Sequence, residues 1–418
     1  MSTSRTLFAS ILSLISSCLF VFVSINVSIA SNLGLRSQLT IVDETYTLSL
    51  LGGTPSSINA TNHTKVSNAT TNASVSDEPF IGHFTNPGPN CTVAAHQKVE
   101  YINFTAVRPL SDLVGGSFWR LRENEDNASV CGFVPKQGAF KFPHGMQQLY
   151  RCFAFWRHFN MTRPVLVWPQ KPLRQTPYLD GMLDAFRDVF NVTIIKKTPP
   201  EWPIVVNAKR YEGPSHSHPH AGYAFQDVHD TAVLRDAMLQ HYNLLDDEMK
   251  AGCKRETAKT KPVIGILNRK LRRSVANLDS LVDGIYEAFG QRVEVKYFEN
   301  ATFFEQIAYF SQVDILLSPH GAQLTSLPFM PDCGGVIEFF PVAYLLPQFF
   351  GSLAAASRLH HGFYYSGQNG TREWAWALTN RTGREAARTY DMCVDVPEIV
   401  NGIQVLIDKW TKCCNSGT

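Results

Sequence analysis

The sequence has little excess charge and lacks several motifs that would assign it to a common enzyme class. Lysine and arginine number 38 against 36 aspartates and glutamates among 418 residues, for a net charge of +2. Because the positive and negative charges are nearly equal in number, the sequence lacks the excess of basic residues typical of a nucleic-acid-binding protein, and we expect no nucleic-acid partner. The chain contains no Gly-x-Ser-x-Gly elbow, no P-loop and no complete Gly-x-Gly-x-x-Gly turn. These absences argue against a serine hydrolase, a P-loop nucleotidase and a standard dinucleotide enzyme.

The N-terminus also lacks charge. Arg5 is the only charged side chain before the run Leu7–Leu35, which has an apolar centre at Ile15–Val23. The run is long enough to cross a bilayer as a signal anchor, with Arg5 on the cytoplasmic side. The alternative is a signal peptide cleaved after Ser28-Ile29-Ala30. Both alternatives place the remainder in a secretory lumen, and we favour an anchor over residues 1–30.

Glycosylation sequons and cysteines support that compartment. Twelve Asn-x-Ser/Thr sites follow the leader, at Asn59, Asn62, Asn68, Asn72, Asn90, Asn103, Asn127, Asn160, Asn191, Asn300, Asn369 and Asn380. One such site is common by chance, but twelve after a hydrophobic leader are not. Eight cysteines follow it as well, at Cys91, Cys131, Cys152, Cys253, Cys333, Cys393, Cys413 and Cys414. An even number permits disulfides in an oxidising lumen, and the sequence leaves their connectivity open.

The distribution of apolar runs predicts two α/β domains after a stem. Residues 31–77 are rich in Ser, Thr, Asn and Gly, which is typical of a flexible, glycosylated stem. Residues 78–250 are expected to form the first domain, 251–261 a charged linker, and 262–395 the second domain. A terminal helix and tail occupy 396–418. Strand–helix–strand units at this spacing imply parallel sheets, and two such domains would face a crevice.

The predicted elements follow apolar runs and helical apolar stripes. Strands are expected at Val165–Trp168, Val192–Ile195, Pro203–Val206, Pro262–Leu267, Val293–Tyr297, Val313–Leu317, Val336–Phe340 and Phe363–Tyr365. Helices are expected at Gly145–Phe159, Tyr178–Phe190, Ala232–Leu245, Asn277–Phe289, Thr302–Phe310, Tyr344–Ser357 and Val396–Trp410. The stretch Glu78–Gly138 is expected to wrap the first domain as short strands and loops.

The stretch Val313–Pro341 has the most informative pattern: a buried strand, a glycine turn, a short helix over Ala322–Met330 and a second strand. Such units bind phosphates in open α/β sheets, because helix N–H groups face the crevice beyond the strand ends. His320-Gly321 stands at the turn, either as a ligand contact or as a structural turn. Glu338 lies in an apolar strand and needs a partner there. A nucleotide ribose and a nearby arginine are its two candidates.

Other candidates lie near the same crevice. The basic run Asn268–Arg273 follows a predicted strand directly, and arginine forks match phosphate geometry, although such runs are more often solvated surface. Asn277 stands where a helix N-cap belongs, and capping is its simplest explanation. His144 precedes a helix and is a candidate base, with a structural role as the alternative. The alternating histidines of the loop 216–220 include a proline between them, which argues against a metal site.

Several of these segments resemble glycosyltransferase family 61, which includes plant xylosyl- and arabinosyltransferases and animal endoplasmic-reticulum O-linked N-acetylglucosaminyltransferases. The signature is carried by Ser318–Thr325, Phe329-Met330, Val336-Ile337-Glu338 and Pro341, with Arg269, Arg273 and Asn277 similar to the family's Arg…Arg…Asn segment. The resemblance is good over Pro262–Pro341 and thins to a pattern over Phe140–Val206, where His144 is similar to a family histidine. Gln323 and Asn268 depart from it, since glycine and serine are common there.

The resemblance implies a GT-B-like fold of two Rossmann-like domains facing a central crevice, in a type II membrane protein of the Golgi or endoplasmic reticulum. It implies inverting transfer from a UDP-sugar (xylose, arabinose or N-acetylglucosamine) to a glycan or glycoprotein acceptor. No cofactor or essential metal is expected, and the absence of an Asp-x-Asp motif agrees with that.

The resemblance also implies roles for individual residues. The implied donor-binding residues are Arg269, Arg273 and Asn277, the turn residues His320, Gly321, Ala322, Gln323 and Leu324, and Glu338 at the ribose. His144, on the acceptor side, would deprotonate the acceptor hydroxyl. The alternative function is a non-catalytic carbohydrate-binding or scaffolding lumenal glycoprotein that retained the fold.

Overall fold

In a computed structural model, the chain divides into two compact units, Met1–Ser76 and Asp77–Thr418. The described residues all belong to the second unit: 91, 93, 97–104, 128–133, 143–158, 160–168, 176–196, 206–208, 223, 225, 227, 229–245, 253, 261–367 and 387–416. The predicted leader, the stem and the loop 216–220 lie outside the described residues. Of the predicted linker 251–261, only Cys253 and Lys261 are described.

Ten strands and seven α-helices alternate along the described chain, together with one 3₁₀ helix. The strands are β1 (Val99–Tyr101), β2 (Ser129–Phe133), β3 (Pro164–Val167), β4 (Thr193–Ile195), β5 (Val206–Ala208), β6 (Ile264–Asn268), β7 (Val295–Tyr297), β8 (Ile315–Pro319), β9 (Gly335–Phe340) and β10 (His360–Tyr365). The helices are α1 (His144–His158), α2 (Pro177–Phe190), α3 (Asp230–His241), α4 (Leu278–Phe289), α5 (Phe303–Phe310), α6 (Pro347–Ala356) and α7 (Val396–Asn415), and the 3₁₀ helix is Ala322–Phe329.

The strands form two sheets, and the chain is an α/β protein as predicted. The larger sheet has the order β1-β10-β9-β8-β6-β7 and the smaller one β4-β3-β2-β5. All pairings are parallel except that of β1 with β10. Two largely parallel sheets with alternating helices are consistent with a GT-B-like fold. The predicted boundaries of two domains, and a crevice between them, stay predictions.

The burial of the central strands of the larger sheet explains why their sequences are continuously apolar. Every residue of β6, β8 and β9 is buried, as expected for parallel strands covered on both faces. The helix predicted over Ala322–Met330 is instead a 3₁₀ helix that contains Pro328. Proline lacks the N–H that an α-helix would use at this position, so the tighter form is the one compatible with the sequence.

The N-terminal stretch contributes a strand to the larger sheet. Short strands and loops around the first domain were expected over Glu78–Gly138, and β1 in this stretch pairs antiparallel with β10 at the edge of the larger sheet. Glu398 of α7 accepts a hydrogen bond from the Val99 N–H at 2.8 Å, and Tyr101 donates through its hydroxyl to the Gly402 carbonyl at 2.7 Å. The edge strand is therefore held by the C-terminal helix.

The hydrophobic core has two main parts. The first contains side chains from both sheets, among them Trp156 and Leu166 near the smaller sheet and Leu316 and Phe329 near the larger one. The second lies on the other face of the larger sheet and includes side chains of α4 and α7, such as Leu281. The 3₁₀ helix is packed into the first part, and the Tyr150 hydroxyl of α1 donates to its Thr325 carbonyl at 2.9 Å. The 3₁₀ helix that follows β8 is thereby joined to α1.

The cysteines and sequons fit the predicted compartment. The eight cysteines from Cys91 onward form four disulfides: Cys91–Cys393, Cys131–Cys152, Cys253–Cys414 and Cys333–Cys413. The sequon asparagines within the described residues are Asn103, Asn160, Asn191 and Asn300, and all of them are exposed. Among the described residues, no helix has both the length and the apolarity to cross a membrane.

Candidate functional site

The candidate site lies where the connections of the larger sheet change direction. The chain runs outward from β6 to β7 on one side, while β8, β9 and β10 follow on the other. Ligands of open α/β sheets bind beyond the carboxyl ends of the strands at such a point. Arg269 follows β6 and His320 follows β8, and these two strands are neighbours. The sequence prediction that both residues face one crevice is therefore consistent with the register of the sheet.

The loop after β6 is fixed by the last residue of that strand. The Asn268 side-chain oxygen accepts from the Val275 N–H at 2.9 Å, and its amide donates to the Val275 carbonyl at 3.3 Å. The Ser274 N–H donates to Asp391 at 2.9 Å, and the Met392 N–H donates to the Ser274 carbonyl at 2.8 Å. Asn268 departs from the family pattern, and its side chain holds backbone here.

Arg269 lies against the glycine of the histidine turn. A Cβ atom built on Gly321 would overlap Arg269 Nη1, so this close approach requires the absence of a side chain at 321. Arg269 Nε donates to the Arg272 carbonyl at 2.8 Å. Burial lowers the pKa of the Arg269 guanidinium to about 10, and the nearby charge of Arg273 contributes. The guanidinium therefore lies in a partly desolvated, positively charged environment.

A second and a third guanidinium lie at the ring of Tyr344. The Arg273 guanidinium carbon is 5.2 Å and that of Arg388 is 5.7 Å from the ring centroid, which is cation–π distance. Arg273 has a φ of 55°, which is uncommon for a residue with a Cβ and often accompanies function. Its Nε is buried without a hydrogen-bond partner among the described residues. Arg388 was not predicted, because no motif or apolar pattern marks the segment around it.

The His320 ring is held by the buried carboxylate of Glu338. His320 Nδ1 lies 2.5 Å from Glu338 Oε1, and His361 Nε2 lies 3.0 Å from Glu338 Oε2. Glu338 has no exposed surface. Its partners are thus two histidines rather than the predicted arginine, and no ribose is needed to satisfy it. A ribose contact by Glu338 stays a prediction.

Burial disfavours charge throughout this group. It raises the pKa of the Glu338 carboxyl well above its usual value, against the opposing effect of Arg273. It lowers the pKa of His320 well below its usual value, and the charges of Arg273, Arg388 and Arg269 lower it further. Burial also lowers the pKa of His361 to about 3. His320 is therefore an uncharged imidazole near neutral pH, oriented by Glu338.

His144 lies close to the same site through an aromatic contact. Its ring is 5.9 Å from that of Phe349, and the Phe349 ring is 6.0 Å from that of His320. His144 is the first residue of α1, and its Nδ1 lies 3.0 Å from Gln147 Oε1. His144 and His320 therefore neighbour the same phenylalanine ring, although they are far apart in sequence. Whether His144 acts as a base stays a prediction.

The remaining predicted residues hold the backbone of the site. Gln323 donates to the Ser318 hydroxyl at 2.8 Å. Leu324 is fully buried in the core, and its N–H donates to the Gly321 carbonyl at 3.0 Å. Ala322 is the half-buried first residue of the 3₁₀ helix. Ligand contacts by these three residues stay predictions.

The explanation of Asn277 as a capping residue is wrong. Asn277 stands at the N-cap position of α4, but its side chain makes no capping hydrogen bond. Its amide instead donates to the Val394 carbonyl at 2.8 Å and its oxygen accepts from the Val394 N–H at 3.0 Å. The competing backbone partner lies 117 residues away in sequence, so local sequence could not reveal it.

An open pocket adjoins Arg269 at the carboxyl ends of β6 and β7. Its volume is about 480 Å³, within the range of small-ligand sites. The lining residues are Asn268, Arg269, Lys270, Ser274, Val275, Ala276, Leu278, Tyr297 and Asp391. The pocket therefore combines an exposed aromatic ring with the first arginine of the basic loop.

The sequence also matches a known protein family. The family model described as Glycosyltransferase 61 matches residues 125–337, just over half of the chain. The match begins before β2 and includes Arg269, Arg273 and the His320 turn. It ends one residue before Glu338, so His361 and Arg388 lie beyond it. No curated protein matches the chain.

Proposed function

Because this chain belongs to the glycosyltransferase 61 family and is therefore a glycosyltransferase, we propose that it is an inverting enzyme using a UDP-sugar donor. The donor sugar would be xylose, arabinose or N-acetylglucosamine, and the acceptor a glycan or glycoprotein. One observation supports the donor most directly. Arg269 and Arg273 lie with an uncharged histidine beyond β6 and β8, where an open α/β sheet binds phosphates.

The arginines would act on the leaving group. In the proposed step, an acceptor oxygen bonds to the anomeric carbon on the face opposite the diphosphate, and the bond from that carbon to the diphosphate oxygen breaks. Negative charge grows on the departing UDP, and guanidinium groups already in place stabilise it without reorganising. Arg269 and Arg273 supply that charge, and His320 orients the turn beside it.

The acceptor hydroxyl must lose its proton during this step, and we assign to His144 the role of the base that accepts this proton. His144 comes from the other half of the chain, while the arginines follow β6. A base and a leaving-group site on opposite sides of the reacting carbon suit in-line displacement. No metal is needed in this scheme, because the arginines supply the positive charge.

The pocket beside Arg269 is proposed to hold the nucleoside. Its volume of about 480 Å³ accommodates a uridine, and Tyr297, which is 38% exposed, offers a ring on which a base can stack. Lys270 lies 5.6 Å from the centroid of the same ring. A nucleoside there would place its diphosphate toward Arg269.

The proposed location is the lumen of the Golgi or endoplasmic reticulum, with residues 1–30 as the membrane anchor. Four disulfides and exposed sequon asparagines support an oxidising, glycosylating compartment. Cleavage after Ala30 would instead give a secreted protein.

Calorimetry of UDP binding to the full chain tests the donor assignment. We expect binding by the wild type and an affinity about ten- to hundredfold weaker for Arg269→Ala, since it loses charge-assisted hydrogen bonds. Arg292→Ala is the matched control, because Arg292 is exposed and packs on Tyr286 at 5.8 Å, before β7 rather than after it. Absence of UDP binding by the wild type would overturn the proposed donor.

A screen of UDP-sugars for hydrolysis then identifies the sugar. The expected result is release of UDP from one of the three candidate donors. An acceptor should increase this release in the wild type, and His144→Ala should abolish that increase. UDP binding without hydrolysis or transfer of any sugar would instead indicate the non-catalytic alternative.

A further inference from the structure

The site contains a third guanidinium that neither the sequence motifs nor the family match includes. We propose that Arg388 binds the diphosphate of the donor together with Arg269 and Arg273. This inference rests on the proposed function, because it names a further residue of the same donor site. Arg388 lies in the segment after β10 and outside the matched residues 125–337.

The first argument is the shared tyrosine ring. The guanidinium carbons of Arg273 and Arg388 lie 5.2 Å and 5.7 Å from the centroid of Tyr344. Tyr344 is only 2% exposed, so the ring is a fixed platform rather than a mobile surface group. The same ring is 5.2 Å from that of His320. Arg388 therefore belongs spatially to the histidine turn.

The second argument is the way in which the backbone brings the two arginines together. Val275 and Met392 form a parallel β-bridge. The Met392 N–H donates to the Ser274 carbonyl, and the Ala276 N–H donates to the Met392 carbonyl, both at 2.8 Å. The chain that carries Arg388 is thus attached to the chain that carries Arg273. Their proximity is built by backbone and does not depend on surface side chains.

The third argument is electrostatic. Arg269, Arg273 and Arg388 are all half-buried, and like charges repel more strongly where water is partly excluded. The charge of Arg388 lowers the pKa of both Arg273 and His320, after the larger effect of burial. An anion with two or more charges would be attracted by all three of these guanidinium groups. A diphosphate has the charge and the number of acceptor oxygens for three guanidinium groups.

The test measures UDP affinity of the full chain over a range of KCl concentrations. We expect Arg388→Ala to weaken UDP binding about ten- to hundredfold at low salt and to reduce the dependence of affinity on salt. A cation that pairs with phosphate contributes to that dependence, because added ions screen it. Arg388→Lys should recover part of the affinity and most of the salt dependence. Arg292 also lies over a tyrosine ring, but away from the site. The UDP affinity and salt dependence of Arg292→Ala should therefore match those of the wild type.

Two outcomes would overturn the proposal. One is unchanged UDP affinity in Arg388→Ala. The other is weaker affinity with the full salt dependence retained and no recovery in Arg388→Lys, which would indicate that Arg388 only supports Tyr344. Both outcomes leave UDP binding by the wild type intact, so they differ from failure of the proposed function, in which the wild type itself does not bind UDP.

Discussion

At the scale of single residues, the position of Arg269 depends on what Gly321 lacks. The backbone of Gly321 has a φ of 173°, an extended conformation open to any residue. The constraint is instead the space that Arg269 Nη1 occupies. A methyl group there would meet the far end of a flexible side chain, so the arginine would move before the backbone did.

Gly321→Ala should therefore separate binding from stability. We expect UDP affinity to fall about tenfold as Arg269 is displaced, while the free energy of unfolding changes by less than about 1 kcal/mol. Calorimetry and urea unfolding measure the two effects. In an Arg269→Ala background the second substitution should cause no further loss of affinity, and an additional loss of similar size would show that Gly321 acts by another route.

The buried His361 predicts a pH dependence of stability. Its pKa is about 3 in the folded protein against an ordinary value of 6.5, so between these values the unfolded chain binds a proton that the folded chain does not. The stability is present above about pH 6.5 and is lost as the pH falls toward about 3. His320, whose pKa is also lowered, contributes in the same direction, whereas the raised pKa of the Glu338 carboxyl contributes in the opposite direction.

His361→Gln should flatten this part of the profile. Glutamine has an amide that donates to Glu338 but cannot take up a proton in this range. Urea unfolding from pH 7.5 to pH 4.5 should show a smaller loss of stability in the variant than in the wild type. Equal losses in the two proteins would contradict the assignment of the pH effect to His361.

At the scale of elements, the loop between β6 and α4 determines where both arginines lie. Asn268 closes it by bonding both polar groups of Val275, and Asp391 holds Ser274. The loop is thus fixed at its base and along one side. The sequence predicted that a basic run follows β6, since an apolar run ends there. The partner segment, residues 391–394, could not be predicted, because no local pattern marks a pairing over more than a hundred residues.

Removal of the Asn268 side chain should loosen this loop. Asn268→Ala leaves the buried Val275 N–H and carbonyl without their partners, which costs about 1–3 kcal/mol of stability. UDP affinity should fall as well, since both arginines depend on the loop. Asn401→Ala provides the comparison, because Asn401 is exposed on α7 and alanine favours helix. Similar unfolding curves for the Asn268 variant and the wild type would mean that the loop is held by other contacts.

The length of β10 explains why His320 was predicted as a site residue and His361 was not. The sequence predicted a strand over Phe363–Tyr365, but β10 begins at His360. The two histidines at its start did not fit an apolar run, and His361 was therefore placed outside the sheet. In the sheet it pairs with Val336 of β9, and its Nε2 lies 3.0 Å from Glu338 Oε2, so its polarity reflects a specific buried partner.

At the scale of the whole molecule, the α/β class and the parallel central strands could be predicted, because buried parallel strands have continuous apolar sequences. The site could be predicted as far as the ends of β6 and β8, since the motif residues follow those strands. The edge strand Val99–Tyr101 could not, because three residues of half-buried strand have no distinctive pattern and acquire one only by pairing with β10. Pairing partners of cysteines were open for the same reason.

The long reach of the first disulfide also determines the order in which the protein can be completed. Cys91 and Cys393 are 302 residues apart. β1 cannot pair until β10 and α7 have been synthesised, and both are made near the end of translation. During translation, the early segment therefore emerges with an unpaired thiol and an unpaired strand edge, both of which can react with other chains. The edge of the larger sheet closes only after the C-terminus has arrived, so a prematurely terminated chain leaves it open.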